Sequence, residues 1–302
     1  MALKDIKTKI KATERMHKVT RAMEAVSAVK MRKTQAAALE GRAYARAALS
    51  LLTRLAGTRH VKEHPLGQER EGSKLALVVI TSDKGLAGAL NSGVLKRAVE
   101  AIEGRSIEDV TVYAYGKKGQ EFFNRRGYTV ARAIENKQDE IPLQIMEDLV
   151  TEITEGFLAR KHDKVVAVYS NFKSTFEQVP TMRRLLPLSL PALNDIVGGI
   201  IPAKGKWSNE EPIEAPASYE VEPTDGEVLG ILIPKLVAVA LYHMLLESKA
   251  SEHSARMVAM KNASDKSKDV VRDLTRQFNK VRQAAITREV SEIVSGREAL
   301  SV

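Results

Sequence analysis

Residues 271–285 read VRDLTRQFNKVRQAA. Val271, Leu274, Phe278, Val281 and Ala285 step three, four, three and four residues apart, with polar and basic side chains between them. That spacing is a heptad seam and predicts a helix packed edge-on against another helix. The stretch lies in a longer one without helix breakers: after Pro234 there is no proline, and Gly296 is the single glycine. The N-terminus mirrors it, with no proline and only Gly41 before Gly57. Proline and glycine are the main breakers of helices, so each end predicts one helix. At a rise of 1.5 Å per residue, about 55 residues reach roughly 80 Å. A helix of that length needs a partner along its course, and the other terminus is the evident one. At the N-terminus Leu3, Ile6, Ile10, Met16, Val19, Met23 and Val26 recur mostly at threes and fours, followed by Leu39, Ala43, Ala47, Leu51 and Leu55. These predict the apolar stripe of the first helix.

Between the ends the pattern changes. Leu75 to Ile80 is a continuous apolar run, as in a strand buried on both faces. Val110–Tyr115 and Val165–Tyr169 predict two more strands, and helices are expected at 91–103, 117–126 and 142–160. Strand–helix alternation predicts an α/β unit with a mainly parallel sheet. All ten prolines lie between Pro65 and Pro234, six of them within 187–224, which predicts a long irregular segment there.

The charge follows the same partition. The chain of 302 residues carries a formal +9. Residues 1–56 hold 13 basic and 4 acidic side chains, residues 57–234 hold 22 and 26, and residues 235–302 hold 12 and 8. The ends are therefore basic and the middle mildly acidic. Lys18, Arg21, Lys30, Arg32 and Lys33 are clustered enough to meet phosphates, but aromatic residues make up only 5% of the chain and offer no stacking platform. A solvated coiled-coil face, or a protein partner bearing clustered carboxylates, is the favoured reading of this charge.

Several chemistries are absent or weak. With no cysteine in the chain, disulfides, thiolate metal sites and cysteine nucleophiles are ruled out. No phosphate-binding G-x-x-x-x-G-K-[S/T] loop occurs; the nearest string is Thr81 to Gly88 after the first strand, read as a tight turn that packs strand on helix. His60 and His64 are four apart but lack further ligands, and a loop is the simpler reading. No metal site and no catalytic set is expected, although Asp83 or Glu289 could be imagined as general bases. The most apolar run, Leu236–Leu246, is short for a membrane span and contains His243. No signal-peptide core is evident, so no direct membrane span is expected.

Particular strings then resemble the gamma-subunit family of F-type, proton-translocating ATP synthases. The C-terminal ones are Ser251 to Ala263, Phe278 to Glu289, and Glu292 to Gly296. The central ones are Thr81 to Asn91, Asn171 to Ser174, and Tyr219-Glu220. At the N-terminus, Lys18 to Ala28 looks like the family's first-helix signature. The resemblance spans nearly the whole chain. The chain departs from the family pattern at Thr13–His17, at Asp265–Ser267, at Arg297, and at Ala87, where many members carry cysteine. It also lacks the regulatory cysteine pair of plastid members.

The resemblance implies a fold, partners and contacts. The expected architecture is a long antiparallel coiled coil, residues 1–57 and 227–302, plus a central Rossmann-like α/β domain, residues 74–226. The expected role is the central-stalk rotor, a non-catalytic subunit that carries torque between the membrane c-ring and a catalytic hexamer of alpha and beta subunits, with no cofactor of its own. Epsilon and the c-ring would bind the foot, and the complex would lie on the cytoplasmic face of a bacterial plasma membrane. By resemblance, Arg21, Met23, Arg282, Gln283, Thr287 and Glu289 face beta, while Tyr219 and Glu220 lie at the c-ring and epsilon end. Two other classes stay open at this stage: a nucleotide-dependent α/β enzyme with helical extensions, and a basic coiled-coil nucleic-acid adaptor.

Overall fold

The computed structural model describes residues 3–55, 64–137, 141–189 and 225–300, and the side chains of the first helix as far as Ala37. The first helix, α1, runs Leu3–Leu55 and the last, α5, runs Asp225–Leu300. Between them lie β1 (Leu75–Ile80), α2 (Leu90–Ile102), β2 (Val110–Tyr115), α3 (Lys117–Asn124), β3 (Thr129–Ile134), α4 (Leu143–Leu158), β4 (Lys164–Ser174) and β5 (Glu177–Leu186). The sheet order is β3-β2-β1-β4-β5. The first four strands are parallel, and β5 returns antiparallel beside β4.

Two strands go beyond the sequence expectation. β3 alternates between exposed and half-buried positions at one sheet edge, and β5 forms the other edge and carries Pro180. Edge strands need not be continuously apolar, and proline is tolerated there because one row of backbone groups faces away from the ladder. The segment expected to be irregular falls mostly on residues 190–224, outside the described residues, as does His60.

The sheet is covered on both faces. On one side Leu75, Leu77, Val79, Val112 and Ala114 pack against Val94, Ala98 and Ile102 of α2 and Phe123 of α3. On the other, Ala76, Val78, Ile80, Val165 and Ala167 pack against Met146, Ile153 and Phe157 of α4 and against α5 from Ile233 to Leu246. Both faces of β1 are thus dry, which explains its unbroken apolar run. Within Gly230–Arg297 α5 holds an 18-residue window long and apolar enough to cross a membrane, yet 56% of that window is buried inside the protein.

The chain divides into two compact units, residues 1–27 with 257–302, and residues 28–256. In the first unit the seam of α5 lies where its spacing predicts: Val271, Leu274, Phe278, Val281 and Ala285 are half-buried, and every residue between them is exposed. The stripe expected on α1 is met in part: Leu3, Ile6, Ile10 and Met23 are buried or half-buried, and Leu3, Ile6, Ile10, Thr13, His17, Thr20, Glu24 and Ser27 make an unbroken three-four repeat of such positions. Met16, Val19 and Val26 are more than half exposed. Small polar residues can hold a seam if they find partners. Thr20 donates to Met16 O, and His17 Nδ1 lies 3.0 Å from both the hydroxyl and the carbonyl oxygen of Ser264.

Candidate functional site

Doubly wound sheets bind ligands at the carboxyl ends of their strands, where the strand order reverses. Here the reversal falls between β1 and β4. The loop after β1 is tied down by its own polar residues. Ser82 N donates to Asn91 Oδ1 at 3.0 Å, and Asn91 Nδ2 donates to the Ser82 hydroxyl at 2.8 Å. Asp83 accepts from Lys117 N at 2.8 Å and from Asn136 N at 2.9 Å, joining the ends of β1, β2 and β3. Asp83 is therefore committed to backbone donors, and the Thr81–Gly88 string makes a turn that braces strand ends. Leu86 within it has a positive φ of 63° and is 61% exposed. Gly116, at φ +107°, lets β2 pass close to Thr81.

Residues 249–256 of α5 reach these same strand ends. Lys249 Nζ donates to Asn136 O at 3.1 Å, and the Ser251 hydroxyl to Ser170 O at 3.0 Å. The Ser254 hydroxyl donates to Thr175 O at 2.6 Å. Arg256 holds Glu252 at 2.7 Å and reaches the carbonyls of Lys84 and Gly85 at 3.4–3.5 Å. All of these helix residues are buried. The place where such a sheet would take a small ligand is thus lined by the protein's own helix.

One turn earlier, His243 and Glu247 form a buried pair with Nε2 and Oε1 3.2 Å apart. Burial, followed by the Glu247 charge, pushes the Tyr169 hydroxyl above the ordinary tyrosine range. Tyr115 is likewise raised to about 12, by burial and then by Asp83. His64 Nδ1 accepts from Leu66 N, and burial lowers its pKa. Among the described residues no three His, Asp or Glu side chains converge as metal ligands.

The residues singled out by sequence are spread along the helices. Arg21 is exposed and Met23 half-buried on α1. Arg282, Gln283, Thr287 and Glu289 are all exposed on α5. Tyr219 and Glu220 lie outside the described residues. From Ile286 to Arg297 every residue of α5 is exposed, including Ile286, Val290, Ile293 and Val294. What sequence reasoning missed is the exposed apolar face of α1 and the polar residues of α5 that grip the sheet. The signals for the latter were a run of Ser, Glu, Lys, His and Arg inside an otherwise core-like stretch and the Ser251–Ala263 string that resembles the family's.

A family model described as ATP synthase matches residues 2–300. The ATP synthase gamma chain of Pelotomaculum thermopropionicum is 38% identical over 299 residues, 99% of each chain. That of Roseiflexus castenholzii is 40% identical over 302 residues, 99% of this chain and 98% of that one. This chain belongs to the ATP synthase gamma-chain family. A solved chain of the Tetrahymena thermophila mitochondrial ATP synthase, from its central stalk and c-ring, is 26% identical with a TM-score of 0.60, covering 82% of this chain and 99% of that one. A chain of the Euglena gracilis mitochondrial enzyme, at 19% identity and a TM-score of 0.65, covers 99% of this chain and 94% of that one and shares its fold. As a gamma chain, the protein is a subunit of a membrane-associated ATP synthase complex.

Proposed function

We propose that this gamma chain is the central-stalk rotor of an F-type ATP synthase, carrying torque between the membrane c-ring and an alpha/beta hexamer so that proton flow is coupled to ATP synthesis. The observation that carries the reading is family membership over the whole length joined to two helices of 53 and 76 residues. The subunit itself is non-catalytic: its own α5 lines the nucleotide-type crevice, and the chemistry belongs to beta. The exposed stripe Met16, Val19 and Val26, with Arg21 and Met23 among it, is the face offered to beta. Arg282, Gln283, Thr287 and Glu289 serve the same surface at the other helix. Tyr219 and Glu220, within the 74–226 foot, meet the c-ring and epsilon, and the complex sits on the cytoplasmic face of the membrane.

Basic shafts attract carboxylate-bearing protein loops, with rates that fall as salt rises. The deciding experiment is co-purification from membranes. Alpha, beta, epsilon and ring subunits should accompany the tagged chain, and the isolated chain should show no ATP hydrolysis. A chain that purifies alone, or hydrolyses ATP alone, refutes the rotor.

A further inference from the structure

The donors on α5 do not lie on one face. At about 100° per residue, Lys249 and Arg256 point in nearly the same direction, whereas Ser251 and Ser254 point about 140–200° away from it. Lys249 and Arg256 reach the loops after β3 and β1; Ser251 and Ser254 reach β4 and the turn that follows it. The helix is therefore held from opposite sides within one stretch about 10 Å long. A rod gripped on one side can roll; a rod gripped on two opposite sides resists both rolling and sliding.

The acceptors are also informative. Asn136, Ser170, Thr175, Lys84 and Gly85 all offer main-chain carbonyl oxygens; four of them lie in the loops or turn that follow β1, β3 and β4, and Ser170 lies within β4 opposite Pro180, which has no N–H to give. Two buried cations, Lys249 and Arg256 (2% and 7% exposed), are a costly way to pack a helix on a sheet, since apolar residues would do so with less desolvation. Direction is what hydrogen bonds add, because they weaken steeply when bent.

We propose that Lys249, Ser251, Ser254 and Arg256 are the positioning residues of a torque joint, locking the rotation of α5 to that of the sheet. Glu252, 2.7 Å from Arg256, orients its guanidinium. This rests on the rotor reading. Under load, the sheet and the helix turn as one body only while both sides of the grip hold.

The test uses the assembled complex in sealed vesicles. Three variants are compared with the parent: Lys249→Met, the double Ser251→Ala/Ser254→Ala, and Arg256→Gln, with Arg256→Lys and Ser251→Thr as conservative controls. ATP hydrolysis, ATP-driven proton uptake and their ratio are measured as an opposing proton gradient is raised. The expected result is hydrolysis within about twofold of the parent, while protons moved per ATP fall about fivefold at the steepest gradient, the order set by losing one or two such bonds. The controls should restore the ratio. A ratio that stays at the parent value at every gradient overturns the joint. So does a fall in hydrolysis and uptake by the same factor at all gradients, which marks ordinary loss of folded complex. Should Lys249→Met fail to assemble, the double serine variant, which removes two hydroxyls and no charge, carries the test. A parent chain that never couples hydrolysis to uptake refutes the rotor reading itself and is thereby distinguished from failure of the joint.

Discussion

Replacing Gly116 by alanine probes how tightly the strand ends are fitted. A Cβ at this position would lie 2.1 Å from Thr81 O and 2.6 Å from Thr81 C, both backbone atoms that cannot rotate away. The residue also sits at φ +107°, a region costing a non-glycine residue about 1–3 kcal/mol. Relief of the overlap must move the Thr81 carbonyl, which accepts from Asn136 Nδ2 at 2.7 Å in a buried setting. Loss of that bond adds about 1–3 kcal/mol. Reduced freedom of the unfolded chain returns about 0.4–1 kcal/mol. The net expectation is a loss of about 1–5.5 kcal/mol, lowering the thermal midpoint by about 2–4 °C per kcal/mol. Two other glycines calibrate the scale. Gly104 has φ +77° with nothing within 4 Å of a Cβ, so alanine there pays only left-handed strain, about 1–2 kcal/mol before the same unfolded-state offset. Gly85 has open space and no positive φ, so alanine should be close to neutral. Urea unfolding of the purified chain, followed by circular dichroism, gives all three. The reasoning is refuted if Gly116→Ala is no more destabilising than Gly104→Ala.

Three further outcomes are expected. Alanine at both Arg282 and Gln283 should lower coupled ATP synthesis in membrane vesicles while the purified chain keeps its unfolding midpoint, because both side chains are exposed on α5; unchanged synthesis would remove them from the partner surface. Glycine at Val281 should cost about 1–2 kcal/mol, since the side chain is only half-buried and the rest is helix propensity; an unaltered midpoint contradicts this. His162 is buried, with Tyr113 Oη 3.3 Å from its Nε2, and burial followed by Lys161 lowers its pKa. The unfolded state therefore takes up the proton first. Stability from this group is complete above about pH 6.5 and is lost as the pH falls below it. His162→Gln should flatten the pH dependence of unfolding between pH 7 and 5.5, and an unchanged slope would show that another group sets it.

Much of the fold was legible because β1, β2 and β4 are buried on both faces and therefore nearly continuous in apolar residues. The edge strands were hidden by their solvated sides and by Pro180. In the helices, scarcity of proline and glycine marks the long stretches, but α5 starts before Pro234 and runs through it, and apolar periodicity on α1 picks out only part of its seam. Apolar periodicity marks whichever face meets apolar surroundings, whether in the same chain or not. Here Thr13, His17, Thr20 and Ser27 fill the internal seam, while Met16, Val19 and Val26 face outward. A lone periodicity cannot separate a face for self from a face for a partner. The contacts of Lys249 and Ser251 were equally illegible, since hydrogen bonds to backbone oxygens leave no complementary residue type in the sequence.

The uncovered end of α5 has a practical consequence. From Ile286 to Arg297 every residue is exposed among the described residues, a stretch of 12, a length at which an isolated helix is only marginal in water. Its amide hydrogens should therefore exchange rapidly in the free chain and slow sharply once something encloses it. The same few amides become a built-in gauge of assembly, reporting insertion residue by residue without any label, and trypsin at Arg288 and Arg297 offers the same reading on a gel.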